Sequence, residues 1–140
     1  MRNKIVTDNS GATIVEFAIL APIIIGLMLG VLQIGLGMQS YSAMRGVASD
    51  SARYATIEYQ KEVVVANSAI ETWAESRAAG APYLLQSNFN AAVSDAGTQR
   101  VDGATEKTIT VTYTPQLILP FMGWVNPTLT FSRPIFLLQP

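Results

Sequence analysis

The chain has no cysteine and no histidine, and only 14% of its 140 residues are charged. Without cysteine no disulfide can staple a domain, and no thiol is available for metal binding or catalysis. Without histidine the usual general base and the commonest metal ligand are missing. Carboxylates remain, but the 10 Asp and Glu are scattered singly along the chain. This poverty of chemistry argues against an enzyme, and no catalytic residue, metal or cofactor is expected. A net charge of −1 leaves no clustered basic face, so nucleic acid is not an expected partner.

Charge is also absent from one long stretch. Residues 17–44 carry none, and residues 17–32 have no polar side chain at all. A bilayer core is about 30 Å thick, and some 20 apolar residues at about 1.5 Å each cross it as a helix. Residues 17–38 meet that need, with only Gln33 inside. The remaining residues suffice for one extramembrane domain of roughly 100 residues. Before the run, Arg2 and Lys4 stand against Asp8; beyond it come Arg45, Asp50 and Arg53. The positive-inside rule then predicts a cytoplasmic N-terminus and a domain outside. A cleaved signal peptide has a shorter apolar core, and Tyr41-Ser42-Ala43 is the one candidate cut behind this run.

Glu16 sits at the edge of the run, five residues after Gly11. Taken alone, it reads as a headgroup-level acid that favours the positive end of the helix dipole. If the chain were cut after Gly11, Ala12 would carry a new ammonium with Glu16 as its i+4 neighbour. Such a carboxylate can neutralise an amino terminus, its own or that of an adjacent subunit, in a low-dielectric setting.

The stretch Gly11-Ala12-Thr13-Ile14-Val15-Glu16-Phe17-Ala18, then Ile19-Leu20-Ala21-Pro22, resembles the processing site and helix start of type IV prepilins. With the Ala/Arg-rich stretch from Ala43 to Ala55, it resembles the TadE-like pseudopilins of the tight-adherence (Flp-type) pilus system. The resemblance covers residues 10–55 and is loose beyond. It implies cleavage by a prepilin peptidase after Gly11, so that Ala12 becomes the mature N-terminus. It also implies that Glu16 and Phe17 serve processing or subunit docking. The partners would be other pilin-like subunits and the inner-membrane pilus assembly machinery. The localisation would be a single pass of the bacterial inner membrane, followed by a place in or near the pilus. Major Flp-type pilins resemble this start too, but they are typically shorter and often pair Glu with Tyr. The extra domain and Glu16-Phe17 favour a minor subunit. The residues alone also admit a permanent single-pass anchor with a protein-binding domain, a membrane-tethered enzyme, or an ordinary secreted domain.

On a helical wheel Pro22, Gly26, Gly30, Gln33 and Gly37 fall within about 40° of one line. Gly26 and Gly30 form a small-xxx-small pair that lets another helix approach, and Gln33 on the same line can hydrogen-bond across it. Pro22 removes one backbone hydrogen bond and predicts a kink.

The predicted fold class is α+β: a transmembrane helix extended into a long helix, then a second short helix and a small antiparallel sheet. The expected divisions are a leader at 1–11, an assembly helix at 12–38, a helical region at 39–80 and a β-rich region at 81–140. The long helix should turn Ala43, Val47 and Tyr54 toward the domain and break near the valines at 63–65. Ser68 to Glu71 reads as a capping box opening the second helix, with Ile70, Trp73 and Arg77 on one side and Trp73 in the core. That helix should end at Gly80. Phe89, Ala91 and Val93, and more clearly Ile109, Val111 and Tyr113, alternate with polar residues as in strands. Asp102-Gly103 is a turn, Pro115 ends a strand, and Leu129 and Phe131 should face inward on a third strand at an edge. The apolar stretch 117–124 is expected to fold back over the sheet or to meet the membrane or another subunit.

Overall fold

A computed structural model of the chain describes residues 10–85, 88–117 and 127–138. Helix α1 spans Ser10–Gln60 and runs on through Pro22. The apolar part has few alternatives, because in an apolar medium a backbone must satisfy its own hydrogen bonds. The Ala-rich part beyond it consists mostly of good helix formers. The helix stops in a tight motif: Val63 N–H donates to Glu58 O at 3.2 Å and Glu62 N–H to Tyr59 O at 3.0 Å. Glu62 takes the left-handed conformation, φ 64°, that glycine usually occupies at this position. The break falls just before the valines, as expected.

Packing divides the chain into one unit up to Gly35 and another from Leu36 onward. In the first unit the large apolar side chains stand open, from Ile14 at 68% exposed to Ile34 at 66%, except the half-buried Leu29. In the second, Met44, Val47, Ala48, Ser51 and Ala55 on α1 are fully buried. This line is rotated slightly from the expected one: Ala43 and Tyr54 lie at its rim, packed against the core. The Ser51 hydroxyl donates to Val47 O at 2.8 Å, so a polar residue can sit in that line at little cost.

Helix α2 spans Asn67–Ala79 and buries Ile70, Ala74 and Ala78. Two expectations fail here. Ala66 is the N-cap and makes no side-chain cap. Glu71 does not turn back to the helix start; its Oε1 accepts the Val93 N–H at 2.7 Å. Trp73 is half-buried rather than in the core, because it stacks on Tyr54 with ring centroids 4.8 Å apart.

Strands β1 (Phe89–Asp95), β2 (Ala104–Tyr113) and β3 (Leu129–Leu138) form an antiparallel sheet in that order. Val93 lies opposite Ile109, and Val111 opposite Phe131. Val93, Ile109 and Val111 are buried, so the alternation seen in the sequence is the inward face. On β3 the burial shifts along the strand: Ile135 and Leu137 are buried, while Leu129 and Phe131 are half-buried. Phe131 instead meets Tyr41 edge-on at 6.0 Å and lies under the Arg45 guanidinium. Gly103, at φ +78°, completes the turn before β2. The α+β class and its element order are those expected from the sequence. Of the apolar stretch 117–124, residues 118–124 lie outside the described residues, as do residues 1–9 of the leader.

Candidate functional site

Gly11, Ala12, Glu16 and Phe17 occupy the first turns of α1, and all are exposed. Ala12 and Glu16, four apart on one helix, lie on the same face one turn from each other. The helix surface beyond them is apolar on every side. Phe17, Leu27, Val31 and Met38 are 68–72% exposed, and the 18-residue window of highest hydropathy has none of its residues buried. Water would have to solvate that whole surface, at roughly 25 cal/mol per Å². The helix is long and apolar enough, by length and composition, to cross a membrane.

Pro22, Gly26, Gly30, Gln33 and Gly37 share this helix at spacings that keep them on one side. A methyl group added at Gly26, Gly30 or Gly37 would meet nothing within 4 Å. The stripe therefore has room for a neighbouring helix. Gly46, farther along the helix, is different. A Cβ there would come within 2.4 Å of Tyr83 Cε1, so the Tyr83 ring lies directly on the glycine.

That ring belongs to a polar knot joining α1, α2 and the turn after α2. Asp50 Oδ2 accepts from Arg77 Nε and from the Tyr83 hydroxyl, each at 3.0 Å. The Arg77 guanidinium also lies 5.0 Å from the Tyr83 ring centroid. Burial, followed by the bond to Asp50, raises the Tyr83 hydroxyl above its ordinary pKa. Two more pairs hold the sheet. Lys107 Nζ, nearly buried, donates to Asp95 at 2.5 Å and to Asn67 at 2.6 Å, which keeps the Asp95 carboxyl below its usual range. Glu106, 3% exposed, accepts from Arg100 Nε at 2.7 Å and from the Arg100 backbone N–H at 3.0 Å. Those hydrogen bonds lower its pKa. Each of these charged side chains is thus paired within the fold. Among the described residues no group of three or more potential metal ligands comes together. None of these pairs was legible beforehand, because the partners are separated in sequence by turns whose path only folding decides.

A family model described as TadE-like protein matches residues 11–53. The match begins at Gly11 and covers the apolar helix and the Ala/Arg-rich continuation that carried the resemblance. It takes in about a third of the chain and shows that this N-terminal part is similar to TadE-like proteins. No curated protein and no solved structure matches the chain.

Proposed function

From a TadE-like N-terminal third, we infer that this chain is a minor pilin-like subunit of a tight-adherence pilus, processed by a prepilin peptidase after Gly11. The observation that carries the reading is the coincidence of three features at one place. The family match starts on Gly11, Glu16 lies one helical turn beyond Ala12, and an apolar helix with no protein around it follows. Before assembly the helix sits in the inner membrane with the domain outside. Released from its leader, it packs among similar helices through the side bearing Gly26, Gly30, Gln33 and Gly37. Glu16 neutralises the new ammonium of Ala12, or that of a neighbouring subunit, where little water is present to screen it. The α+β domain is then displayed to the assembly machinery and other subunits.

The test is the N-terminal sequence and intact mass of the membrane-extracted protein, from a strain with the peptidase and one without. A peptidase-dependent start at Ala12 with the helix retained supports the reading. A start at Met1 in both strains overturns it in favour of a permanent anchor, and a start near Met44 in favour of ordinary secretion. Glu16→Ala should leave the domain folded and reduce pilus assembly.

A further inference from the structure

The turn after α2 presents an apolar side chain that the domain does not use. Leu84 is 66% exposed and sits at φ 51°, a left-handed conformation that a branched residue adopts only when its surroundings impose it. They do so here. Leu84 N–H donates to Gly80 O at 3.0 Å, Leu85 N–H to Ala78 O at 2.8 Å, and Arg77 Nη1 to Ala81 O at 2.8 Å. Leu85 is buried on one side of Leu84, and on the other Tyr83 is pinned to Asp50. Leu84 is thus held out on a fastened turn.

Beside it lies an open groove of about 450 Å³, lined by Leu36, Gln39, Ala43, Tyr83, Leu84 and Tyr113 among others. Among the described residues none that lines it is charged. Its position on α1 says what it faces. Leu36 is still within the apolar run 17–38, and Gln39, Ser40 and Tyr41 follow directly. Tyr41 is 39% exposed, and the next exposed residue to carry a charge is Arg45. Apolar residues, then tyrosine and small polar residues, then a cation is the order met on crossing from acyl chains through headgroups into water.

We propose that the turn 82–85 and this groove form a lipid-docking surface, with Leu84 seated in the headgroup–acyl boundary of the bilayer that α1 enters. Contact at Leu84 fixes the domain against the membrane at a second point, beyond the helix itself. The proposal rests on the membrane reading of α1.

The chain has no cysteine, so single labelling sites are clean. Leu84→Cys, Val31→Cys and Val64→Cys, each in the full chain, would carry an environment-sensitive fluorophore. The proteins are reconstituted in vesicles of phosphatidylethanolamine and phosphatidylglycerol, with nitroxide lipids at shallow or deep positions. Val31 reports the apolar run, and Val64, 85% exposed, reports water. The expected result is blue-shifted emission at position 84 with loss of intensity to shallow nitroxides. Position 31 should lose intensity to deep ones, and position 64 to aqueous iodide alone. If 31 is quenched by lipid while 84 behaves like 64, the docking surface is overturned and the span stands. If 31 is as accessible to iodide as 64, both fall. Shielding of 84 from iodide without lipid quenching would assign the groove to a protein contact and also overturn the proposal.

Discussion

On one helix, Leu27 leaves 68% of its surface open while Met44 leaves none. Both are long apolar side chains in the same backbone conformation, so the difference lies in what surrounds them. In the first unit of the chain the helix carries mostly exposed Ile, Leu and Met side chains, interrupted on one side by Gly26, Gly30 and Gln33. In the second its inward line is Met44, Val47, Ala48, Ser51 and Ala55. Small residues there let a sheet and a second helix come close enough to make a core. The glycines divide in the same way: Gly26 and Gly30 adjoin open space, whereas Gly46 is a seat for a tyrosine ring. Bulk on the outside and smallness on the inside is the reverse of a water-soluble helix, and it suits the first region to an apolar surrounding and the second to a packed core.

The widest separation between the regions should come from truncating one large residue in each. Ile109→Ala, at a fully buried centre of β2, is expected to destabilise the domain by about 2–5 kcal/mol. Leu27→Ala should change the same unfolding transition by less than about 0.5 kcal/mol, measured by circular dichroism in detergent. A charge inverts the ranking: Leu27→Lys should cost about 3 kcal/mol in membrane insertion and release the chain on carbonate extraction, with the domain still folded.

The glycines offer a sharper comparison. Gly46→Ala gains helix propensity yet pushes into the pinned Tyr83 ring, and should cost about 1–3 kcal/mol of domain stability by overpacking. Gly35→Ala meets nothing and should leave the domain's thermal midpoint in place. At the other end of the helix, Glu62→Gly relieves a left-handed backbone and should stabilise the domain by about 1 kcal/mol, read as a higher denaturant midpoint.

The smallest effect expected is electrostatic and confined to the domain. Arg100 and Lys107 hold Glu106 and Asp95 below their ordinary carboxylate pKa values. A carboxyl that titrates lower when folded than when unfolded adds stability above its unfolded pKa, and that stability is lost as pH falls through the folded value. The domain should therefore weaken below about pH 4. Both pairs are partly open to solvent, which keeps the slope shallow. Glu106→Gln should flatten it further in acid titrations of the unfolding midpoint.

Much of this architecture could be read from the chain before it was folded. A run of residues without charge between Glu16 and Arg45 reads as a helix long and apolar enough to cross a membrane, because length and hydropathy are counted residue by residue. The alternation of Ile109, Val111 and Tyr113 against threonines is equally local, since successive side chains on a strand point to opposite faces. The valines after Gln60, Gly80 after α2 and the turn at Gly103 are likewise punctuation that short-range backbone sterics enforce.

What tertiary structure decided is whatever depends on a partner far along the chain. Glu71 had a local use as part of a cap but took the Val93 N–H, because β1 lies against α2 and that donor would otherwise go unpaired. Trp73 had the bulk for a core but found Tyr54, and the core was closed by alanines beneath it. Gly46, Asp50, Arg77 and Tyr83 form one knot in which Asp50 meets Arg77 across 27 residues and Tyr83 across 33, which no spacing in the sequence announces. Which parts are apolar and which alternate was legible in the chain alone, because hydropathy and backbone periodicity belong to single residues and their neighbours. Which small residue must stay small, and which side chain is held out on a fastened turn, was settled only when distant segments packed, because those are properties of pairs.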